Sequence, residues 1–298
     1  METKTPEFLV FTISGGCGKN IAATAVVEGL KKNYPDSKIV ILTAWNEVWL
    51  FNPNVYRVYN FQSAPYFYET YIKGKNTKVF AAEPYQTEGY ILKTEHLIES
   101  WYKLCALEYA GESPKLYFNS RELESVNNRF LRNRPIFLLQ TNGGSNQNNK
   151  YSWVRDMPIG FAQQIVGTWA KDYAVIHVRR DDQLELQGVE QFKGNLRELF
   201  ALIKLSSKRL FIDSSCAHAA AALNKQSTVL WVRNHPSVLG WDLHDNIVTE
   251  VANELPSSGL GVLEEYNIEG NVQECPFKEG TELFNFLEVC DSLKKQKK

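Results

Sequence analysis

Phe8-Leu9-Val10-Phe11-Thr12-Ile13, then Ser14-Gly15-Gly16-Cys17-Gly18-Lys19-Asn20, then Lys38-Ile39-Val40-Ile41-Leu42-Thr43 decide the fold of this chain. The first segment is a continuous apolar run of strand length, rich in β-formers, and the second is a glycine-rich break. From Asn20 the pattern turns helical: Ile21, Ala22, Ala25, Val26, Gly29 and Leu30 recur three and four residues apart, with Lys31 and Lys32 in the last turn. Tyr34-Pro35-Asp36-Ser37 reads as a turn before the second buried strand. Two apolar strands joined by a helix imply a parallel sheet with its functional loops at the carboxyl ends of the strands.

Outward from this unit, residues 45–90 read as aromatic and irregular, and a helix is expected over about 94–109. Residues 121–134 are polar and charged, and Pro135 stops any helix before a new apolar strand at 136–140. The domain boundary is placed there, giving an N-terminal domain 1–134 and a C-terminal domain 135–298. The second half repeats the alternation: a glycine- and asparagine-rich loop at 141–149, helices over 159–170, 196–205 and 216–223, and strands at 174–178, 209–213 and 227–232. Over 279–295, Leu283, Phe284, Leu287, Val289, Cys290 and Leu293 share roughly one face, as in a helix packed back on the body. The expected class is α/β, with two Rossmann-like domains facing a cleft. Helix N-termini line that cleft, and their unpaired amides and positive dipole ends suit phosphate.

Composition narrows the class but not the chemistry. The chain has 298 residues, 44% apolar and 22% charged, with 33 Lys+Arg against 34 Asp+Glu, a net charge of −1. That balance disfavours a nucleic-acid acceptor or partner held by bulk electrostatics, without excluding a local basic groove. No apolar run approaches the roughly 18 to 20 residues that cross a bilayer, and the mixed-charge start reads as no signal peptide. The 5 cysteines (Cys17, Cys105, Cys216, Cys275, Cys290) are odd in number, scattered and without a C-x-x-C pair. They point to reduced thiols in the cytoplasm, with no metal site expected.

Two segments carry candidate chemistry. Gly15, Gly16, Gly18, Lys19 and Asn20 lie between strand and helix and come close to a phosphate loop, but Asn20 stands where a Ser or Thr hydroxyl would hold Mg²⁺. A glycine turn bordering a ligand cleft is the competing reading. Asp213-Ser214-Ser215-Cys216-Ala217-His218 ends a strand and opens an alanine-rich helix. Its two serines suit capping, and its first amides suit a diphosphate; a capped core helix with a hydrogen-bonded histidine is the alternative. Arg179, after the strand at 174–178, and Lys150, after the asparagine-rich loop, are further phosphate candidates. No H-E-x-x-H or G-x-S-x-G motif occurs, which disfavours a metalloprotease or α/β-hydrolase.

Four stretches, in order along most of the chain, together resemble glycosyltransferase family 9, the ADP-heptose:lipopolysaccharide heptosyltransferase-like group with the GT-B fold. Gly18-Lys19-Asn20-Ile21-Ala22-Ala23-Thr24-Ala25-Val26-Val27-Glu28-Gly29-Leu30-Lys31, with Tyr34-Pro35, is similar to G-D-x-L-x-T-x-P-x-x-x-x-L-K followed by Y-P. Asn52-Pro53-Asn54-Val55-Tyr56-Arg57-Val58 is similar to N-P-x-V-D-x-V, and Lys150-Tyr151-Ser152-Trp153 to K-x-W-P. Asn195-Leu196-Arg197-Glu198-Leu199-Phe200-Ala201-Leu202-Ile203, running into Asp213 through Lys225, looks like L-x-E-L-x-A-L-I and D-S-G-x-x-H-x-A-A-A-L-x-K.

The resemblance implies a nucleotide-diphosphate-sugar donor held by Asp213, Ser214, Ser215, Cys216, His218, Lys150 and Arg179. It also implies a saccharide or other hydroxyl acceptor against the loop of Gly15, Gly16, Gly18 and Asn20, with no cofactor and no metal. The family's catalytic Asp falls at Lys19, a cation that takes no proton unless its pKa falls far. Three outcomes stay open at that position: another carboxylate such as Glu47 is the base, Lys19 binds an anionic group, or the chain is an inactive nucleotide-sugar-binding relative. The expected activity is metal-independent glycosyl transfer, and the rival is a P-loop-type NTPase or kinase built on Gly15–Asn20.

Overall fold

The computed structural model describes residues 5–130, 132–143, 152–249, 251 and 282–296. In chain order the first half contains β1 (Phe8–Ile13), α1 (Cys17–Asn33), β2 (Lys38–Thr43), β3 (Val55–Asn60), α2 (Phe67–Tyr71), β4 (Thr77–Phe80), α3 (Glu88–Ile91), α4 (Leu97–Leu104) and α5 (Ser120–Phe130). Single 3₁₀ turns lie at Asn46–Trp49 and Pro84–Gln86. The second half contains β5 (Ile136–Gln140), α6 (Ile159–Trp169), β6 (Ala174–Val178), β7 (Glu190–Gln191), α7 (Leu196–Leu205), β8 (Lys208–Ile212), α8 (Ser215–Ala222), β9 (Thr228–Trp231), α9 (Pro236–Leu239), β10 (Asp245–Val248) and a C-terminal helix, Phe286–Lys295.

The opening β-α-β unit forms as its pattern predicts. Its helix begins at Cys17, ahead of Asn20, because Gly15 turns the chain at φ +89° and Gly16 takes the N-cap position. The 45–90 stretch is not irregular: it holds β3 and β4. An edge strand with half-exposed side chains and a four-residue strand lack the continuous apolar run that marks a buried one. The helix expected over 94–109 is confined to α4. At α7 the start is set by a reciprocal pair: Asn195 Oδ1 accepts from the Glu198 amide at 2.9 Å, and Glu198 Oε2 from the Asn195 amide at 2.8 Å.

Each half carries one parallel sheet, in the orders β3-β2-β1-β4 and β10-β9-β8-β5-β6-β7. In the first, the chain leaves β1 toward β2 on one side and returns as β4 on the other. In the second, β5 and β8 are neighbours whose onward connections run in opposite directions. Such reversals leave a crevice outside the carboxyl ends of the two strands concerned, where α/β proteins bind ligands.

α1 is buried around most of its circumference, from Cys17 and Asn20 through Val27 and Leu30. A helix apolar on all sides needs neighbours on all sides. It packs between its own sheet, α4 and α8, and one continuous cluster runs from Leu9, Phe11 and Ile21 through Trp101 to Phe200, Ala217 and Ala220. The two halves therefore share a core. The C-terminal helix packs on α6, β8 and β9, burying Val289, Cys290 and Leu293 beside Leu210 and Phe137.

Arg197, on α7, bonds both carboxylate oxygens of Glu122 at 3.0 Å, the Glu47 carbonyl at 3.1 Å and the Tyr117 carbonyl at 2.5 Å. It thereby ties the second half to α5, the segment between α4 and α5, and the turn after β2. No helix among the described residues is long and apolar enough to cross a membrane.

Candidate functional site

Both switch points face the contact between the starts of α1 and α8. A Cβ placed on Gly18 would lie 2.8 Å from His218 Cδ2, 3.4 Å from His218 Nε2 and 3.5 Å from Ser215 Cα, so glycine is what lets the two helices touch here. Four sequence-predicted residues, Gly18, Ser215, Cys216 and His218, are thus brought together.

On the α8 side, Ser214 is the N-cap. Its hydroxyl accepts from the Cys216 amide at 3.3 Å and donates to Gln140 at the end of β5, joining the two strands of the switch point. The Ala217 and His218 amides bond the Ser214 carbonyl at 3.1 and 3.4 Å. These amides are not free for a ligand, contrary to the reading of the sequence. What α8 offers is its positive dipole end and the half-exposed Ser214 and Ser215. Asp213 is buried and accepts from Asn234 Nδ2 at 2.5 Å, which fixes the loop after β9.

His218 Nδ1 accepts from Trp241 Nε1 at 3.1 Å, so its proton sits on Nε2, the edge facing Gly18. Burial holds its pKa down at about 4, against the opposing pull of Asp213, and it is neutral near pH 7. Burial also pushes the Cys216 thiol far up, leaving it unreactive.

Below the loop after β5, Thr141 donates to Asn142 at 2.7 Å, so its 2.8 Å contact with His177 places that proton on Nε2. Asp156 accepts from Asn142 Nδ2, the Gly143 amide and the Ser152 amide at 2.7–2.9 Å, tying together the two ends of the asparagine-rich segment. Its pKa is raised by burial, with these bonds opposing. Lys150 lies outside the described residues. Arg179 is corrected: its guanidinium bonds the carbonyls of Arg180, Asp181 and Gln183 and the side chains of Glu185 and Gln191. It orders its own loop and offers no free face to a phosphate.

On the α1 side the surprise is Lys19. Its Nζ sits 2.5 Å from Glu83 Oε2, and 5.1 and 5.6 Å from the ring centroids of Tyr85 and Trp101. Burial lowers its pKa while the Glu83 hydrogen bond opposes. Asn20 is fully buried: its Oδ1 accepts from Thr43 Oγ1 at 2.5 Å and Trp49 Nε1 at 3.4 Å, and its Nδ2 donates to the Gly16 carbonyl at 3.1 Å. Asn20 is therefore a structural residue and not part of an acceptor surface, and it has no oxygen to give a Mg²⁺ ion. With Lys19 turned onto Glu83, the arrangement lacks the two side chains a phosphate loop needs.

Gly15 and Gly16 are exposed, and the Gly15 carbonyl accepts from Trp45 Nε1 at 2.9 Å. Glu47 is exposed on the turn after β2; burial, and secondarily the Glu47 charge, push the Cys17 thiol up to about 12.

Sequence reasoning missed Glu83, Arg197, Trp241 and Asp156. A Glu-Pro pair just past Thr77–Phe80 was a usable signal for Glu83, hidden by reading that stretch as irregular. A cavity of about 390 Å³ lined by Glu88, Glu95, Ser100 and Lys103 contains no residue of α8. Among the described residues, no three His, Cys, Asp or Glu side chains gather as metal ligands would.

The sequence matches no protein-family model and no curated protein. Solved structures do match. A glycosyl transferase family 9 protein from Veillonella parvula is 12% identical with a TM-score of 0.68, covering 97% of this chain and 96% of its own. The ADP-heptose lipopolysaccharide heptosyltransferase II of E. coli is 15% identical with a TM-score of 0.64, over 88% and 97%. The iron-containing dodecameric glycosyltransferase TibC from enterotoxigenic E. coli is 12% identical with a TM-score of 0.69, over 99% and 77%. Two parallel sheets whose switch points meet through α1 and α8 thus give this chain the GT-B-like fold of glycosyltransferase family 9 and of the heptosyltransferases.

Proposed function

We propose that the chain transfers a sugar from a nucleotide-diphosphate-sugar to a hydroxyl acceptor, a saccharide being the leading class. In this reading the half 135–298 holds the donor, the half 1–134 holds the acceptor, and the reaction takes place in the cytosol. The observation that carries it is the pairing of two switch points across the α1–α8 contact, with half-exposed Ser214 and Ser215 at the mouth. The shared fold of structures described as glycosyltransferases supports it. When the bond to the anomeric carbon breaks, negative charge grows on the departing diphosphate. The start of α8 and the half-exposed Ser215 hydroxyl meet that charge without a metal ion, while Ser214, spent on Gln140, holds the helix start in place.

The test is calorimetric titration with ADP, GDP, UDP and dTDP and their sugars, with and without Mg²⁺. One base's diphosphate is expected to bind without Mg²⁺, and Ser215→Leu, which fills the mouth, to weaken it by about 100-fold or more. Unchanged affinity in Ser215→Leu removes the donor-site assignment, and no binding by the unaltered chain removes the transferase reading.

A further inference from the structure

We infer that Glu83 is the general base that takes the acceptor's hydroxyl proton, an inference resting on the transferase reading above. Glu83 follows β4, and β4 is the strand beside β1 at the first switch point, so its carboxylate stands at the mouth of that crevice. Its position is set from three directions: Lys19 Nζ at 2.5 Å and Ser14 Oγ at 3.4 Å on Oε2, and the Tyr85 amide at 3.3 Å on Oε1.

Only one member of the ion pair is accessible. The Lys19 side chain is 3% exposed and that of Glu83 32%. Lys19, held between Tyr85 and Trp101, orients the carboxylate from behind and leaves its outer side open to an acceptor. A base must reach its proton, and of the two groups Glu83 alone does. Glu47, a carboxylate near the start of α1, lies past β2 on the opposite side of β1, away from the reversal, and its backbone carbonyl is tied to Arg197.

The step balances as a single displacement. The acceptor oxygen forms its bond to the anomeric carbon as its O–H bond breaks and the proton passes to Glu83. The anomeric C–O bond to the diphosphate breaks, and its electron pair leaves with the nucleoside diphosphate, so the sugar inverts.

The experiment uses the full chain, the nucleotide sugar identified by titration, and a panel of saccharide acceptors, reading nucleoside diphosphate release. Glu83→Gln is expected to lower kcat by about 100-fold or more and to keep nucleotide affinity and acceptor KM within about twofold. Glu83→Asp is expected to retain part of the rate. If Glu83→Gln does not fold, the double variant Lys19→Met, Glu83→Gln removes both charges and is read the same way.

A rate within threefold of the unaltered chain, or a comparable loss in Glu47→Gln alone, overturns the assignment to Glu83. So does an unaltered chain that binds a donor yet releases no diphosphate with any acceptor. An unaltered chain that binds no nucleotide sugar overturns the transferase reading itself, which separates the two failures.

Discussion

α1 and α8 both start at the carboxyl end of a parallel strand, in contact with each other, and they start differently. α1 has a glycine at its N-cap with no side-chain cap, and its first polar residues turn inward: Lys19 onto Glu83, Asn20 onto Thr43 and Trp49. α8 is capped by its own Ser214 and leaves two serines half-exposed, while His218 points back at Gly18. One start is a wall that positions an ion pair; the other is a mouth. Small residues before a helix signal that the chain turns there, but they do not say which of these the turn will become.

Acid should separate the two starts most strongly. Burial holds His218, His244 and His177 at about 4, and His244 Nε2 bonds the Ala217 carbonyl of α8. Each folded value lies below the ordinary 6.5, so the unfolded chain takes up the proton first. Stability is complete above about pH 6.5 and falls toward pH 4, by roughly 2 kcal/mol per histidine at pH 5. Calorimetric melting at pH 7 and pH 5 checks this. A flat profile would mean that the α8 side is wetter than its packing implies.

Asn20→Ala comes next. It strands a buried hydroxyl and an indole N–H and should cost about 3 kcal/mol by denaturant melts, while leaving nucleoside-diphosphate affinity unchanged. Lost affinity at equal stability would make α1 part of the mouth and break the contrast.

Gly18→Ala forces a methyl against His218 and the Ser215 backbone and should cost about 2 kcal/mol. Neither neighbour is the free end of a flexible chain, because His218 is held by Trp241. A neutral result would show that the helices part easily. Ser214→Ala is the mildest change: loss of the cap should lower stability by about 1 kcal/mol, and the Gln140 contact goes with it.

The large elements were legible because their side chains repeat. Val10, Ile39 and Leu138 sit in apolar runs, and Ala22, Val26 and Leu30 recur on one face, so burial writes a period into the sequence. β3 and β4 escaped because an edge strand and a very short one need no such run. Ser214 was legible as the cap of α8 because capping chemistry is local. The loop role of Arg179 was not legible, because a guanidinium that binds phosphate and one that orders its own loop have the same letter and the same neighbours. Arg197 was passed over inside a helical motif, since its partner Glu122 lies 75 residues away in sequence.

Local pattern was enough for the strand, turn and helix at 8–33, for the return to parallel order at Lys38, and for the repeat of that grammar after Pro135. These follow from hydrophobic period and backbone freedom, which act over a few residues. Long-range packing sets Lys19 against Glu83, 64 residues away, turns Asn20 inward and brings Gly18 against His218. Those outcomes depend on strand order and on two helices meeting across the halves. A buried charge finds its partner through that geometry, and no local pattern encodes it.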